Sequence, residues 1–205
     1  MAGSNVGDAG RFQDMARELS ITIQVSHCKH PNIVSFLGAS SRFPAADGCG
    51  AEWSIGLVFE LCDPYDLYHL LHTYKIKLSL SQKLQLARGC AAGLACLHSL
   101  EILHCDFGSR NLLIKDRHVK ITDIGIARRM PSDQTHYQPA SVSGTLQWMS
   151  PEQIECKKMS AKSDVFSLGT TPSFTRVRAN TIFRHLSPLS EKQVGAYADE
   201  VMSAN

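Results

Sequence analysis

The sequence has no long apolar run, no internal repeat and no low-complexity segment. Its apolar stretches, of which 55–59 is an example, fall far short of the ~20 residues that a membrane-spanning helix needs. The first residues contain no basic region followed by an apolar one, so the pattern of a secretory signal is missing. We therefore expect a chain with no membrane span and a cytoplasmic location.

The sequence also lacks an excess of charge of one sign. Its 21 Lys and Arg residues and 19 Asp and Glu residues leave a net charge of +2, and no basic stripe stands out. Binding to nucleic acid is therefore not indicated. Hydrophobic residues make up 43% of the 205 residues, which is ordinary for a globular protein and excludes disorder as a description of the whole chain. The length favours one domain with its own core.

Paired cysteine spacing is missing too. The chain has seven cysteines, an odd number, and no two of them have the spacing C-x-x-C. A disulfide framework is therefore disfavoured, and a reducing compartment fits better. Residues 27–30 read His-Cys-Lys-His, but no second ligand pair lies at a usable distance, so we interpret them as a polar turn rather than a zinc site.

Hydrophobic periodicity predicts the elements of the first part of the chain. A loose lead-in at 1–11 precedes one helical stripe, and strands are expected at 33–37 and 55–61, separated by a Pro/Gly/Asp loop at 43–50. The stripe of this first helix consists of Phe12, Met15, Ala16, Leu19 and Ile23.

Two helices are expected after the second strand. A short one covers 64–74, and a longer one opens at Ser79, where the pattern Ser79-x-x-Gln82 is typical of a capping box. The expected buried stripe of the longer helix consists of Leu80, Leu84, Ala87, Ala91, Leu94 and Leu97.

The remaining sequence predicts a hairpin, a loop and further helices. Apolar runs at 112–114 and 119–122 flank a short polar turn, which is a hairpin pattern. Residues 128–143 are polar and irregular, a long loop of the kind that is usually functional. The Ser-Pro dipeptide at 150–151 is typical of a helix start. Another amphipathic helix is expected from Ser190 onward.

One segment carries a catalytic pattern. His104, Asp106 and Asn111 have the spacing His-x-Asp-x-x-x-x-Asn, and twelve residues after Asn111 comes Asp123, followed by Ile and Gly. The first pattern arises by chance in roughly one chain in a hundred of this length, and the second lowers that by a further factor of about a hundred. With a hairpin between them, the two motifs resemble the phosphoryl-transfer arrangement of the eukaryotic protein kinases.

Other segments resemble the same family in the same order along the chain, and the Trp-Met piece at 148–149 is similar to the tyrosine-kinase-like group. The further matching segments are 30–34, 57–62, 144–152 and 163–169. The resemblance implies an α+β fold with two lobes, a partial small β lobe and a truncated, mainly helical large lobe. This kinase-like domain would cover 12–169 and be followed by a divergent segment at 170–205.

The resemblance implies roles for the motif residues. Asp106 would be the catalytic residue that accepts the proton of the attacking hydroxyl, and Arg110 occupies the position of an Arg in the catalytic loop of tyrosine kinases. Asn111 and Asp123 would supply hard oxygen ligands to the Mg²⁺ that neutralises the phosphates of ATP. Asp164 resembles a buried Asp whose carboxylate positions the backbone of the catalytic loop.

The resemblance also implies a site for the adenine ring. Backbone groups of Glu60 and Cys62 would bind adenine in the segment that joins the lobes, and Leu113 resembles the apolar residue beneath the ring. Phe59 stands at the gatekeeper position, so the pocket behind adenine is expected to be closed. An ordinary strand core would explain these residues equally well.

Two parts that the family needs before its first helix are not found. No Lys precedes Lys29, and Gly3, Gly7 and Gly10 do not have the G-x-G-x-x-G spacing of a phosphate-covering loop. Glu18 is a candidate for the helix Glu that would pair with the phosphate-binding Lys, or it is a solvated helix charge.

Three further positions differ from the family pattern. Cys105 replaces the Arg that contacts a phosphorylated loop, so we expect loop phosphorylation to act little through the catalytic loop. Ile124 replaces the Phe of Asp-Phe-Gly by another apolar residue. The match ends after Gly169, where the Thr-Thr-Pro sequence at 170–172 breaks a helix.

Two functions stay open on the sequence. The first is a protein kinase that transfers the γ-phosphate of ATP to hydroxyls of a protein substrate, impaired in this chain. The second is a pseudokinase, an inactive domain that binds docking partners. Substrate signals are mixed, because Gly108 replaces the Lys of Ser/Thr kinases, Arg110 is typical of tyrosine kinases, and Thr145 resembles the docking-loop residue of Ser/Thr kinases. On balance Ser/Thr specificity is favoured.

Overall fold

The computed structural model describes residues 5–42, 54–130, 133–139 and 144–171. Within these ranges the chain forms four α-helices and six short strands that pair two by two. The helices are α1 (Asn5–Ser26), α2 (Leu80–Ser99), α3 (Pro151–Cys156) and α4 (Ala161–Thr170), and the strands are β1 (Phe36–Arg42), β2 (Ser54–Phe59), β3 (Ile102–Leu103), β4 (Leu112–Lys115), β5 (His118–Ile121) and β6 (Arg128–Arg129). This mixture confirms the α+β class.

Helix α1 begins at Asn5, so part of the expected lead-in is helical. The expected stripe is not its buried face, because Ile23 is 41% exposed whereas Ile21, Thr22 and Val25 are buried. Only the last turns of α1 pack against the main core, and the residues that face this core decide which side of the helix is buried.

Strands β1 and β2 form an antiparallel ribbon, with Phe36 opposite Phe59. The first strand starts later than expected, since Ile33 makes only an isolated parallel bridge to Ile121. The expected loop at 43–50 lies outside the described residues.

The helix expected at 64–74 is a single π-helical turn at His69–Thr73. Asp66 lies just before this turn and contacts its first residue, His69. Its Oδ1 accepts from the backbone N–H of His69 at 2.8 Å, and its Oδ2 lies 2.7 Å from Nδ1 of the same residue.

Helix α2 starts as expected but buries a different face. Ser79 and Gln82 form both bonds of the capping box, at 3.3 and 2.8 Å. Leu80 and Leu84 are 59% and 46% exposed, because the first turns of α2 lie away from the core. The buried residues are Leu86, Cys90, Gly93, Leu94 and Leu97, of which only the last two belong to the expected stripe.

The hairpin between the two motifs is confirmed. β4 and β5 pair from Leu112 opposite Ile121 to Lys115 opposite His118. Asp116 and Arg117 have φ of 50° and 66°, and such positive values at both central residues are what a type I′ turn requires. Helix α2 packs directly on this hairpin.

The long loop after the second motif is attached at two points that the structure describes. β6 pairs with β3, and Tyr137 exchanges two backbone hydrogen bonds of 2.8 Å with Met159. Helix α3 begins as expected, with Ser150 as N-cap and proline at its first position. Helix α4 ends at Thr170, as the following Thr-Pro predicts. The helix expected from Ser190 lies outside the described ranges.

No helix in the described part of the chain has the length and apolar character needed to cross a bilayer.

Candidate active site

A buried carboxylate holds the loop that contains the first motif. The side chain of Asp164 on α4 is 3% exposed. Its oxygens accept from the backbone N–H of His104 at 2.9 Å and of Cys105 at 3.0 Å, and lie 2.9 Å from Nε2 of His98. Because backbone N–H groups in a buried loop need acceptors, these bonds fix the path of the loop. The positioning role expected for Asp164 is confirmed, and the contact with His98 adds to it.

His104 links the two motifs, a role that the sequence alone did not indicate. Its ring is fully buried. Nε2 donates to the carbonyl of Thr122 at 3.1 Å, directly before Asp123, and Nδ1 accepts from the backbone N–H of Asp106 at 3.3 Å. The position of Asp106 is therefore tied to the strand that leads into Asp123.

Asp106 and Asn111 are in direct contact. The amide nitrogen of Asn111 donates to the backbone carbonyl of Asp106 at 2.7 Å and to its Oδ2 at 3.2 Å. The other carboxylate oxygen, Oδ1, accepts from the backbone N–H of Thr145 at 2.6 Å. Since the amide of Asn111 is oriented by its donated bonds, its Oδ1 is left as an oxygen ligand of the kind that Mg²⁺ prefers.

Asp123, the first residue of the second motif, comes two residues after the end of β5. It is exposed, has a left-handed φ of 57°, and its Oδ1 accepts weakly from the N–H of Gly125 at 3.4 Å. Backbone bonds bring it near Asn111, whose carbonyl accepts from the N–H of Thr122 at 3.0 Å. Asn111 and Asp123 both carry side-chain oxygens of the kind that Mg²⁺ prefers, so their chemistry fits the expected metal.

Glu18 points at the second motif. Its carboxyl carbon lies 3.5 Å from the place that a Cβ on Gly125 would take, and Oδ1 of Asp123 lies 3.3 Å from the same point. The side chain of Glu18 is therefore half-buried against the motif, which is where a helix Glu that pairs with a phosphate-binding Lys would stand.

The expected adenine-binding segment is tied to the hairpin. The N–H of Asp63, next to Cys62, donates to the carbonyl of Ile114 at 2.9 Å, and Asp66 forms a bridge with Leu113. Cys62 and Leu113 are both half-buried. The structure thus brings the segment at 60–63 and the hairpin together, as an adenine site between them would need.

Glu60 joins three elements through its carboxylate, a contact that sequence reasoning missed. Oε1 accepts from the backbone N–H of Ser35 at 2.8 Å, and the two oxygens each lie 2.7 Å from a lysine ammonium, Lys115 and Lys120. Burial alone would raise the pKa of Glu60, but the hydrogen bonds from both lysines and from Ser35 outweigh it and lower this pKa to about 2.

Replacing Glu60 by Gln is expected to remove an acid-sensitive part of the stability. Because the pKa is lowered in the folded chain, the stabilisation is present above the ordinary value of 4.5 and is lost as the pH falls towards about 2. The variant should lose about 1–2 kcal/mol of unfolding free energy at pH 7. Urea unfolding at pH 3.5 should show a smaller difference in unfolding free energy between the variant and the unmodified chain. A difference that stays constant between pH 7 and pH 3.5 would contradict the assignment.

Phe59, which the resemblance places at the gatekeeper position, lines a cleft. The cleft has a volume of about 100 Å³ and is lined by α1 on one side and by residues 121–124 on the other. The ring of Phe59 packs edge-on against Phe36, with centroids 5.6 Å apart, and Phe59 is 37% exposed. It therefore forms one wall of the cleft.

Arg110 is exposed. Within the described residues, its side chain makes no hydrogen bond or ion pair with Asp106, Asn111 or Asp123. Its guanidinium stacks over the ring of Tyr68, 4.2 Å from the centroid, and Tyr68 in turn stacks on His72 at 4.4 Å. A cation held over an aromatic face is restricted in its rotamers. Arg110 thus lies at the outer edge of the site.

Cys105 lies in a small apolar cluster, next to the buried carboxylate of Asp164 that accepts from its backbone N–H. With Leu103 and Met159 it is buried, and Tyr137 of the long loop packs against this group. Burial raises the pKa of the Cys105 thiol, so the side chain carries no charge at neutral pH. The loop is attached here by apolar packing and by Arg128, whose Nε donates to the hydroxyl of Tyr137 at 3.3 Å.

The side chain of Trp148 explains why position 108 is a glycine. A Cβ on Gly108 would lie 1.9 Å from Cδ1 and 2.0 Å from Nε1 of Trp148, which is 3% exposed. The indole therefore occupies the space into which a side chain at position 108 would project. No substitution fits here unless Trp148 moves.

Gly108→Ala is accordingly expected to destabilise the chain by about 1–3 kcal/mol, the usual effect of overpacking. Urea unfolding measures it. Gly169→Ala is the matched control, because Gly169 lies in α4 and no neighbouring atom of the described residues comes within 4 Å of its Cβ position. It should stabilise by about 0.5–1 kcal/mol. Equal effects of the two substitutions would show that Trp148 does not pack as described.

Known proteins match this arrangement of residues. The sequence profile of the family described as protein tyrosine and serine/threonine kinase matches residues 5–173. A leaf rust 10 disease-resistance locus receptor-like protein kinase of Arabidopsis thaliana is 32% identical over 181 residues, which are 85% of this chain and 26% of that protein. The serine/threonine-protein kinase CTR1 of Arabidopsis thaliana is 33% identical over 166 residues, 78% of this chain and 18% of that protein.

A third relative is the dual specificity protein kinase shkD of Dictyostelium discoideum. It is 35% identical over 144 residues, 68% of this chain and 18% of that protein. The chain thus spans about a quarter or less of the length of these three curated relatives. The match covers both motifs and the hairpin between them. The chain belongs to the protein tyrosine and serine/threonine kinase family.

Proposed function

We propose that this chain supplies the catalytic loop and metal ligands of a protein kinase that transfers the γ-phosphate of ATP to serine or threonine hydroxyls. The observation that carries the proposal is the contact of Asp106 with Asn111, held next to Asp123 through His104 and Thr122. Asp106 and Asn111 are in contact, and the backbone bond from Thr122 to Asn111 brings Asp123 near them, although Asp123 comes 12 residues after Asn111 in the sequence.

Asp106 is the residue suited to accept the proton of a substrate hydroxyl. Its two oxygens are oriented by N–H donors from Asn111 and Thr145, so little reorientation is needed when a hydroxyl approaches. Asn111 Oδ1 and the carboxylate of Asp123 would hold Mg²⁺. ATP would supply the phosphoryl group that is transferred, and the bound Mg²⁺ would neutralise the charge of its phosphates.

The preference for serine and threonine rests on two supports. CTR1 is named a serine/threonine-protein kinase, and the docking loop of this chain places Thr145 against Asp106. The name of shkD marks a dual-specificity enzyme, so tyrosine is the alternative acceptor to include in assays. Arg110 lies at the edge of the site and is available to a protein substrate. The free thiols of the chain suit a reducing compartment such as the cytoplasm.

A protein-interaction module is the second candidate. The observation that favours it is the occupied carboxylate of Asp106, both of whose oxygens accept hydrogen bonds within the chain. In this case the folded domain would bind docking partners without transferring phosphate.

A chimera tests the two functions against each other. The strands that carry the glycine-rich loop and the lysine of an active serine/threonine kinase are fused before Asn5. The fusion and the chain alone are then incubated with labelled ATP, Mg²⁺ and generic serine/threonine or tyrosine substrates. We expect transfer to serine and threonine by the chimera and little by the chain alone, because positioning and electrostatics supply most of phosphoryl-transfer catalysis. A chimera that binds Mg²⁺-ATP but transfers nothing would favour the interaction module.

A further inference from the structure

Two thiols lie side by side where helices α1 and α2 meet. Cys28 is in the turn after α1, where its N–H donates to the carbonyl of Val25 at 3.1 Å. Cys96 lies near the end of α2, next to Cys28, whose side chain contributes to the raised pKa of the Cys96 thiol. Cys28 is exposed, whereas Cys96 is half-buried against the main core. Neither residue takes part in the candidate active site.

Contacts on both sides of the pair hold it in place. Gln24 on α1 donates through Nε2 to the carbonyl of Leu100, just beyond α2, at 3.3 Å. On the other side, a Cβ on Gly93 of α2 would lie 3.1 Å from the carbonyl of Asn32. The turn after α1 is thus fixed to α2 both before and after the two thiols, independently of them.

We propose that Cys28 and Cys96 are a peroxide-sensitive pair that closes to a reversible disulfide. Neither Cys28 nor Cys96 is part of a disulfide in the structure. Their contact means that the bond can form without bringing together distant parts of the chain.

The chemistry balances with hydrogen peroxide as the oxidant. The sulfur of Cys28 attacks one peroxide oxygen, the O–O bond breaks, and a sulfenic acid and one water form. The sulfur of Cys96 then attacks the Cys28 sulfur, the S–S bond forms, the S–O bond breaks, and the leaving hydroxide takes the Cys96 proton as a second water. Two thiols are oxidised and one peroxide is reduced to two waters. A dithiol reductant reverses the bond.

The environments of the two thiols assign these roles. Cys28 is the sulfur that solvent reaches, so it meets peroxide first. Partial burial, followed by the hydrogen bond to Cys28, raises the pKa of the Cys96 thiol to about 11, which makes it a poor first nucleophile. Cys96 is therefore the resolving partner, acting on a sulfur already in contact with it.

The bond would tether the end of α1 to α2. The same helix carries Glu18, which stands against Gly125 of the second motif. Oxidation would thus limit the movement of α1 relative to the part of the molecule that holds the catalytic loop.

The test maps the disulfides after mild hydrogen peroxide treatment of the whole chain. The mapping is done by mass spectrometry on the native protein and on protein in 8 M urea. In the native protein we expect most bridged Cys28 to be linked to Cys96, and reduction by dithiothreitol to remove the bond. In urea the seven cysteines give Cys28 six possible partners, so the same bond should account for about a sixth of its bridges or less.

Two variants and one further measurement complete the test. Cys28→Ser should abolish the native bridge, whereas Cys156→Ser, which removes an exposed thiol on α3, should leave it unchanged. Hydrogen exchange of residues 21–26 should slow several-fold on oxidation of the unmodified chain and stay unchanged in Cys28→Ser. Equal partner distributions in native and unfolded protein, or oxidation of Cys28 to a sulfinic acid without a bridge, would overturn the proposal.

Discussion

Replacing Asp106 by Asn in the chimera is expected to lower phosphate transfer to a serine/threonine substrate by about 10²–10⁴-fold. An amide cannot accept the hydroxyl proton, and this is the usual size of a general-base contribution. The substitution keeps the shape of the side chain, and its amide oxygen can still accept from the N–H of Thr145. The bond that Oδ2 accepts from Asn111 is lost, whereas the bond from Asn111 to the backbone carbonyl at position 106 remains. Initial rates with labelled ATP measure the effect.

The control for this substitution is Asp133→Asn in the same chimera. Asp133 is an exposed carboxylate of the long loop and has no place in the site, so its loss should change the rate less than two-fold. Nucleotide binding by the Asp106→Asn protein shows that it is folded. A rate that falls by less than a factor of ten in a folded protein would mean that another group accepts the proton.

Sequence patterns predicted the features whose interacting residues lie close together along the chain. The capping box of Ser79 and Gln82 forms because both partners lie in one helical turn. The hairpin at 112–121 forms because apolar runs flank a polar turn of fixed length. The spacing of Asp106 and Asn111 likewise places both in one short loop, where they touch.

Features that depend on distant partners could not be predicted in this way. The carboxylate of Glu60 meets two lysines that lie 55 and 60 residues away, and nothing in the strand pattern around Glu60 indicates them. The buried face of α2 is set by the hairpin that packs on it, so a stripe of leucines starting at Leu80 pointed to the wrong face. Helical periodicity indicates that one face of a helix is buried, but the element that packs against the helix determines which face this is.

Gly108 and Cys105 are also explained by residues that are distant in the sequence. Each departs from the family pattern, and each departure is matched by a residue elsewhere in the fold. Gly108 leaves the space that Trp148 fills, and Cys105 shares an apolar cluster with Met159 and Tyr137. A single sequence shows the departure, but only the fold shows the compensation.

Asp164→Ala is expected to cause the largest loss of stability, about 3–5 kcal/mol. The substitution leaves the buried N–H groups of His104 and Cys105 without the acceptors at 2.9 and 3.0 Å, and removes the partner of His98. Unfolding in urea at pH 7, followed by circular dichroism, measures the loss. Such a decrease is a large fraction of the 5–15 kcal/mol that stabilises a typical domain.

A graded substitution and a surface control test this explanation. Asp164→Asn keeps one acceptor oxygen and should therefore lose less stability than Asp164→Ala. Asp14→Ala removes a carboxylate that is 69% exposed and pairs only with Arg17 on the surface of α1, and it should change the unfolding free energy by less than about 1 kcal/mol. If Asp164→Ala were as mild as Asp14→Ala, the catalytic loop would have to be held by contacts other than the buried carboxylate. The expected order of the three variants follows from the number of buried N–H groups that each leaves without an acceptor.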